Sequence, residues 1–261
     1  MTHFFAVALL FTLSLTLWRG SYSGHYVSVL ALVPLWACTF LGTYRNIVDK
    51  RRSLLLATLK QSSGLIKLLT GRFVPALISM AISLFSVLLF AFSMLLAEPI
   101  QVFAAAAIVV TSALLYFMLL RMMRRHINDL AISWFAASSA TAILSVSFFV
   151  PYAIMEWAFV QRPGFIRLEF DEAMLHALQG LPQRGDWINE LFLLFSAAEY
   201  AKLWLAARFT GTAIPGVLYA AHSALICFAI ASCAVGVASF CYHYLPKTPD
   251  WRTPQSQGAE R

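Results

Sequence analysis

Residues 213–245 run without a single Asp, Glu, Lys or Arg. As one helix this stretch would be about 50 Å long, while the hydrocarbon core of a bilayer needs only about 20 apolar residues. It should therefore tilt or protrude. The pattern recurs along the chain, in apolar runs at 3–18, 25–43, 73–97, 99–120 and 131–157. In lipid every backbone N–H and C=O must be satisfied inside its own segment, which makes such runs helices. Sixty per cent of the 261 residues are hydrophobic and 12% are charged, against about 45–50% and roughly 25% in soluble domains. One soluble core cannot hide that excess. The expected fold is all-α: a polytopic integral membrane protein with about six transmembrane helices.

The charges between the runs alternate in sign. Segment 45–72 holds Arg45, Lys50, Arg51, Arg52, Lys60, Lys67 and Arg72 against Asp49 alone. Arg121, Arg124 and Arg125 follow the fourth run, and Lys247, Arg252 and Arg261 lie in the tail. Segment 156–190 is acidic, with Glu156, Glu169, Asp171, Glu172, Asp186 and Glu190. Lys and Arg are retained on the cytoplasmic side, so both termini are expected in the cytoplasm of a bacterial inner membrane and 158–212 outside. Residues 4–18 have the length of a signal-peptide core, yet no Lys or Arg precedes them and no clear cleavage site follows, so a retained first helix is expected.

Two segments do not read as simple spans. In 44–72, Leu55, Leu59, Leu65, Ile66 and Leu69 share one helical face and Lys60 and Lys67 lie opposite. That is the pattern of a basic amphipathic helix on the cytoplasmic membrane surface. Segment 187–208 is almost long enough to span, but Glu190, Glu199, Lys202 and Arg208 interrupt it. It is expected as an interfacial or re-entrant helix within a small extracytoplasmic cap, beside a helix that starts near Asp171 and stops at Gly180. The organisation is then a hairpin over 1–43, the amphipathic helix over 44–72, a three-helix core over 73–157, the cap over 158–212, the last span over 213–245 and a disordered tail over 246–261.

Ionisable groups inside membrane helices are costly and suggest function by default. Glu199 and Lys202, three residues apart, are candidates for a pore, a gate or a polar contact, as is His222 in the last run. No charged neighbour of His222 is visible from spacing. His222 and Cys233 share a face but lie about 16 Å apart along a helix, so no metal site follows, and no cofactor or catalytic set is assigned. The paired glutamates that a CAAX-type intramembrane protease needs are not found. Arg121 and His126 give an R-x4-H spacing that resembles HEPN-type ribonucleases over those two residues only. A basic membrane anchor accounts for the same cluster, so nucleic acid is not expected as a partner.

Small residues at four-residue spacing let helices approach closely in lipid. Gly216, Ala220 and Ala224 form one such stripe in the last run, and Ser232 and Gly236 another. Arg51, Arg52, Lys60, Lys67, Arg121, Arg124 and Arg125 are expected to contact anionic lipid head groups. Trp18, Trp36, Trp134, Trp157, Trp187 and Trp204 fall mostly near the ends of runs, where aromatic belts form. The functional expectation is a non-enzymatic inner-membrane subunit that packs with other membrane subunits, or with copies of itself, and braces or lines a transport pathway. The alternatives are a homo-oligomeric channel or membrane-disrupting effector, and an intramembrane enzyme acting on lipid or peptide.

Overall fold

A computed structural model describes residues 2–23, 25–58, 72–95, 97–159, 169–181, 187–209 and 213–245. The described residues fold into helices α1 (Thr2–Ser21), α2 (His25–Thr58), α3 (Phe73–Leu95), α4 (Pro99–Met123), α5 (Asp129–Phe159), α6 (Phe170–Gln179), α7 (Trp187–Arg208) and α8 (Ile214–Tyr244). Six of them (α1 to α5 and α8) are long and apolar enough to cross a membrane. The chain is an all-α polytopic membrane protein.

Short links set the up-and-down order. Pro99 opens α4 with its fixed φ, and the Gln101 side-chain oxygen accepts the backbone N–H of Glu98 at 2.9 Å, satisfying one donor left over at the helix start. A tight turn between Arg124 and Asn128 returns the chain from α4 to α5.

α8 is the centre of the bundle. It contacts each of the other five long helices, and Cys227, Ala229, Ile230, Ala231, Cys233, Ala234, Val237 and Ala238 are sealed from the surface. Small side chains make this possible, because apolar packing in lipid gains from close approach rather than from leaving water. The approach is tightest where α8 crosses α2. A Cβ on Gly42 would fall into the Gly236 carbonyl, and one on Gly236 would lie 3.0 Å from the Thr39 methyl. The outward faces carry the opposite signal: Leu9, Leu30, Phe103, Val146 and Val217 are each more than 60% exposed, as lipid contact requires.

Three features differ from expectation. α2 runs unbroken across residues 43 and 44, so the first half of the basic amphipathic segment continues the second span. The chain can do this because Asp49 pairs with Arg45 one turn away at 3.3 Å and the Lys50 ammonium lies 5.4 Å from the Trp134 ring centre. Lys60 and Lys67 lie outside the described residues, as does the tail from 246. Trp18 is no belt residue: it is buried, and its indole N–H donates to the Ala91 carbonyl at 3.1 Å. The two small-residue stripes of the last run also part company. Gly236 sits at the closest helix crossing, whereas Gly216 faces open space, Ala220 and Ala224 are half-buried, and so is Ser232.

Outside the spanning set, α6 and α7 pack together. Phe192 of α7 meets Trp18, Tyr22 and Phe92, with ring centres 5.8, 6.3 and 5.4 Å away. Ten residues further on, about 15 Å along the helix, Lys202 meets Glu156 of α5. Both contacts fall near the same ends of α1, α3 and α5, so α7 lies across one end of the bundle. The basic residues Arg51, Arg52, Arg121, Arg124 and Arg125 gather at the other end. All but Arg51 are exposed, and Arg124 donates to the Tyr242 hydroxyl at 3.2 Å.

Candidate functional site

The end of the bundle under α7 holds a cluster of ionisable groups from three helices. Glu156, three residues before the end of α5, is its hub. Its side chain is 6% exposed. The Lys202 ammonium donates to Glu156 Oε1 at 3.1 Å and is itself 7% exposed. His222 Nε2 lies 3.6 Å from the same oxygen. The Ser223 hydroxyl donates to Glu156 Oε2 at 3.3 Å. Both carboxylate oxygens are therefore held, and the side chain cannot turn without breaking a contact.

Local sequence explains why each group arrives. Glu156 stands one turn beyond buried Tyr152 and follows Pro151 by five residues. His222 and Ser223 are adjacent on α8, so the two approach one carboxylate from neighbouring directions. α7 presents Phe192, Ser196 and Lys202 among its buried residues, which leaves Leu194 and Trp187 on the outside. The long Lys202 stem passes beside the Tyr219 ring, with the ammonium 4.7 Å from its centre. This cation–π contact adds a second partner for the buried charge.

Glu199 completes the cluster. Its carboxylate, the Glu156 carboxylate and a His222 ring nitrogen all lie within 4.8 Å of one another. Loss of hydration holds the Glu199 carboxyl above the ordinary carboxylate range. The Lys202 ammonium pulls it back down, and the Glu156 charge pushes it up again. Two carboxylates, one imidazole and one ammonium thus share a half-closed space. Buried charges are tolerated only when paired, and one ammonium cannot fully neutralise two carboxylates.

Sequence spacing singles out Glu199, Lys202 and His222, and the structure brings all three to one place. It also supplies what spacing lacks. His222 has a charged neighbour, Glu156, from a helix 66 residues earlier, and two glutamates, Glu156 and Glu199, do face each other. Glu156 reads in sequence as the start of an acidic outer link, and nothing local marks it as the hub. One available signal was its place inside the fifth apolar run, before Trp157. Arg121 and His126, by contrast, are both exposed at the far end of the bundle. The geometry is not that of a serine hydrolase: Ser223 donates to Glu156 rather than to His222, so the nucleophile-to-base hydrogen bond is replaced by a shared acceptor.

A second polar site, free of charge, lies toward the other end. Asn46 Oδ1 of α2 accepts from Ser133 at 2.9 Å and from Ser239 at 3.1 Å. A cleft of about 230 Å³ also opens between α1, α3 and α4, lined by Phe11, Leu15, Phe90 and Val109, with Arg19 among its lining residues. No protein family, no curated protein and no solved structure matches the chain, so its chemistry is read from these residues alone.

Proposed function

We propose that the protein is a non-enzymatic multi-pass subunit that packs in a larger membrane assembly and braces a transport pathway. The observation that carries this reading is the place of α8: among the described residues the middle of the bundle is filled by a helix whose Ala229, Ile230, Ala231, Cys233, Ala234, Val237 and Ala238 are closed off from the surface, rather than by a lumen. A pathway braced by this chain would then run along its outside, between it and a neighbour. The cap supports the same reading. Leu175, Leu178, Trp187 and Leu194 are each more than half exposed on α6 and α7, beyond the six spans that lipid covers. Apolar groups in such a position are docking material.

The charge asymmetry supports an orientation. The end carrying Arg51, Arg52, Arg121, Arg124 and Arg125 faces the cytoplasm, in contact with anionic head groups, and the Glu156 end with its cap faces outward. Both termini are then cytoplasmic, in a bacterial inner membrane. Cysteine labelling of intact cells tests this: Arg125→Cys should be protected from an impermeant maleimide and Trp187→Cys should react. The reverse pattern inverts the orientation.

The functional test is purification from the native host in a mild detergent, followed by native mass spectrometry. Co-purification with other membrane subunits at fixed stoichiometry is expected. A homo-oligomer that conducts ions in a planar bilayer would replace this reading with the channel. An enzyme acting on lipid or peptide would instead lose turnover with Glu199→Gln or His222→Gln while its partners stayed bound.

A further inference from the structure

We infer that Glu156, Glu199 and His222 form a binding site for one divalent transition-metal ion, of which zinc fits best, and that Lys202 is the resident cation which the metal displaces. The site belongs to the single chain, and its existence does not depend on any partner subunit.

Three observations carry it. First, the donor set is right. One imidazole nitrogen and two carboxylates suit zinc and its neighbours, whereas calcium and magnesium favour all-oxygen shells. Second, the distances are close to those needed. Zinc bonds of about 2.0–2.2 Å to nitrogen and oxygen put tetrahedral ligands about 3.4 Å apart. His222 Nε2 and Glu156 Oε1 are already 3.6 Å apart, and all three donor groups fall within 4.8 Å. Modest side-chain rotation of half-buried Glu199, the member on the cap, closes the set. Three protein ligands then leave a fourth position for water or another oxygen donor.

Third, the surroundings are built for exchange. Ser223 fixes Glu156 through Oε2, leaving Oε1 as the atom that binds Lys202 and faces His222. Metal sites depend on such outer hydrogen bonds to orient their ligands. The Lys202 ammonium also lies 4.7 Å from the centre of the Tyr219 ring, so on leaving Oε1 it would keep that one partner. With His222 neutral, Glu156, Glu199 and Lys202 total one net negative charge. A divalent ion cancels both carboxylates and leaves one net positive charge, that of Lys202, which the Tyr219 ring face beside it would have to hold. Because Glu199 comes from α7 and the other two ligands from α5 and α8, the ion would fasten the cap helix to the membrane bundle.

The test uses the full, untagged chain in detergent with zinc alone. Elemental analysis after gel filtration should give about one zinc per chain. Glu199→Gln, which removes a half-buried charge and keeps the shape, should lower zinc affinity by about tenfold or more, and His222→Gln should do the same. Lys202→Met should bind at least as tightly as the parent, because the competing cation is gone. Should His222→Gln fail to fold, the parent chain still decides: one equivalent of zinc should slow diethyl pyrocarbonate modification of His222, and cobalt in its place should give the visible absorption of a four-coordinate site. Zinc content well below one per chain, or undiminished affinity in Glu199→Gln, overturns the site. Weaker binding in Lys202→Met overturns the displacement.

Discussion

The two polar clusters of this bundle sit at opposite ends of the same pair of helices and are built on different principles. At one end Asn46, Ser133 and Ser239 form a neutral knot. It lies one turn from Gly42 and Gly236, where α2 and α8 nearly touch. At the other end, about 24 Å along α8 from Ser239 to Ser223, Glu156, Lys202, Glu199 and His222 form a charged one. The neutral knot accompanies close packing. Its hydroxyls and amide satisfy one another, and small side chains bring the backbones together. The charged cluster does the reverse. It brings a separate helix, α7, against the bundle through long side chains, and it stores charge that an apolar pair would not. Polar glue in lipid has modest strength per bond, so the first cluster needs no function beyond packing. A buried ion pair contributes little net stability over an apolar replacement, so packing alone does not account for the second.

The largest effect is expected at the neutral end, from geometry rather than polarity. Gly42→Val would drive a branched side chain into the Gly236 backbone, which has no rotamer to change. Loss on the order of 5 kcal/mol, and with it the monodisperse peak in detergent, is expected. Gel filtration after a heating series measures it. A Gly42→Val protein as heat-stable as the parent would mean the two helices are not in contact.

Next comes the charged end. Glu156→Ala takes from buried Lys202 the carboxylate it donates to and should cost about 3–5 kcal/mol. The double change Glu156→Leu with Lys202→Met should recover part of that loss, because two apolar side chains of similar volume can be as stable as a buried pair, while Glu199 is left without the ammonium beside it. The same thermal series on Glu156→Leu, Lys202→Met and the double gives the cycle. If the double falls below both singles, the cluster is structural in the way the neutral knot is, and the contrast between the ends disappears.

How much of this was open to inspection in the sequence differs between the two ends. Six apolar runs announce six spanning helices, because the bilayer imposes a length and forbids bare backbone. The exact reach of α2 was hidden. Arg45 and Asp49 read as surface charges, and only their one-turn pairing, with Lys50 over Trp134, lets the helix continue past residue 43. The central role of α8 was half visible: small residues at four-residue spacing marked it as a packing helix, but that spacing occurs both at Gly216, which faces open space, and at Gly236, which does not. The charged cluster was visible in fragments. Glu199, Lys202 and His222 stand out as ionisable groups in apolar surroundings. Their meeting point did not, since Glu156 is 46 residues from Lys202 and 66 from His222, and only the lie of α7 across the bundle end closes those distances.

A smaller effect separates polarity from packing at the neutral end. Asn46→Ala removes the acceptor shared by Ser133 and Ser239. Ser239 retains the Gly42 carbonyl at 3.5 Å, so one hydroxyl loses its partner and the other keeps a weaker one. A cost of about 1–2 kcal/mol follows, well short of Gly42→Val in the same thermal series. A loss as large as that of Gly42→Val would show that the hydrogen bonds, and not the glycines, hold α2 to α8.

The smallest expected change concerns the other ion pair, Arg45 with Asp49, and it bears on what burial does to charge. The pair has a distance close to that of Glu156 with Lys202, 3.3 against 3.1 Å. What differs is access to water: the Arg45 side chain is 47% exposed, so water screens its charge and the guanidinium is hydrated when the pair opens. Removing it with Arg45→Gln should cost no more than about 0.5–1 kcal/mol, the range of exposed pairs, and Arg52, which also acts on Asp49, shares the compensation. Raising salt should shrink even that difference, while the Glu156→Ala penalty should hardly move, because ions do not reach a pair with both side chains sealed. Melting curves of the two variants at low and high salt read both effects together. Equal salt dependence would mean that water reaches Glu156 as freely as Arg45, and the cap would then be an open cover rather than a seal.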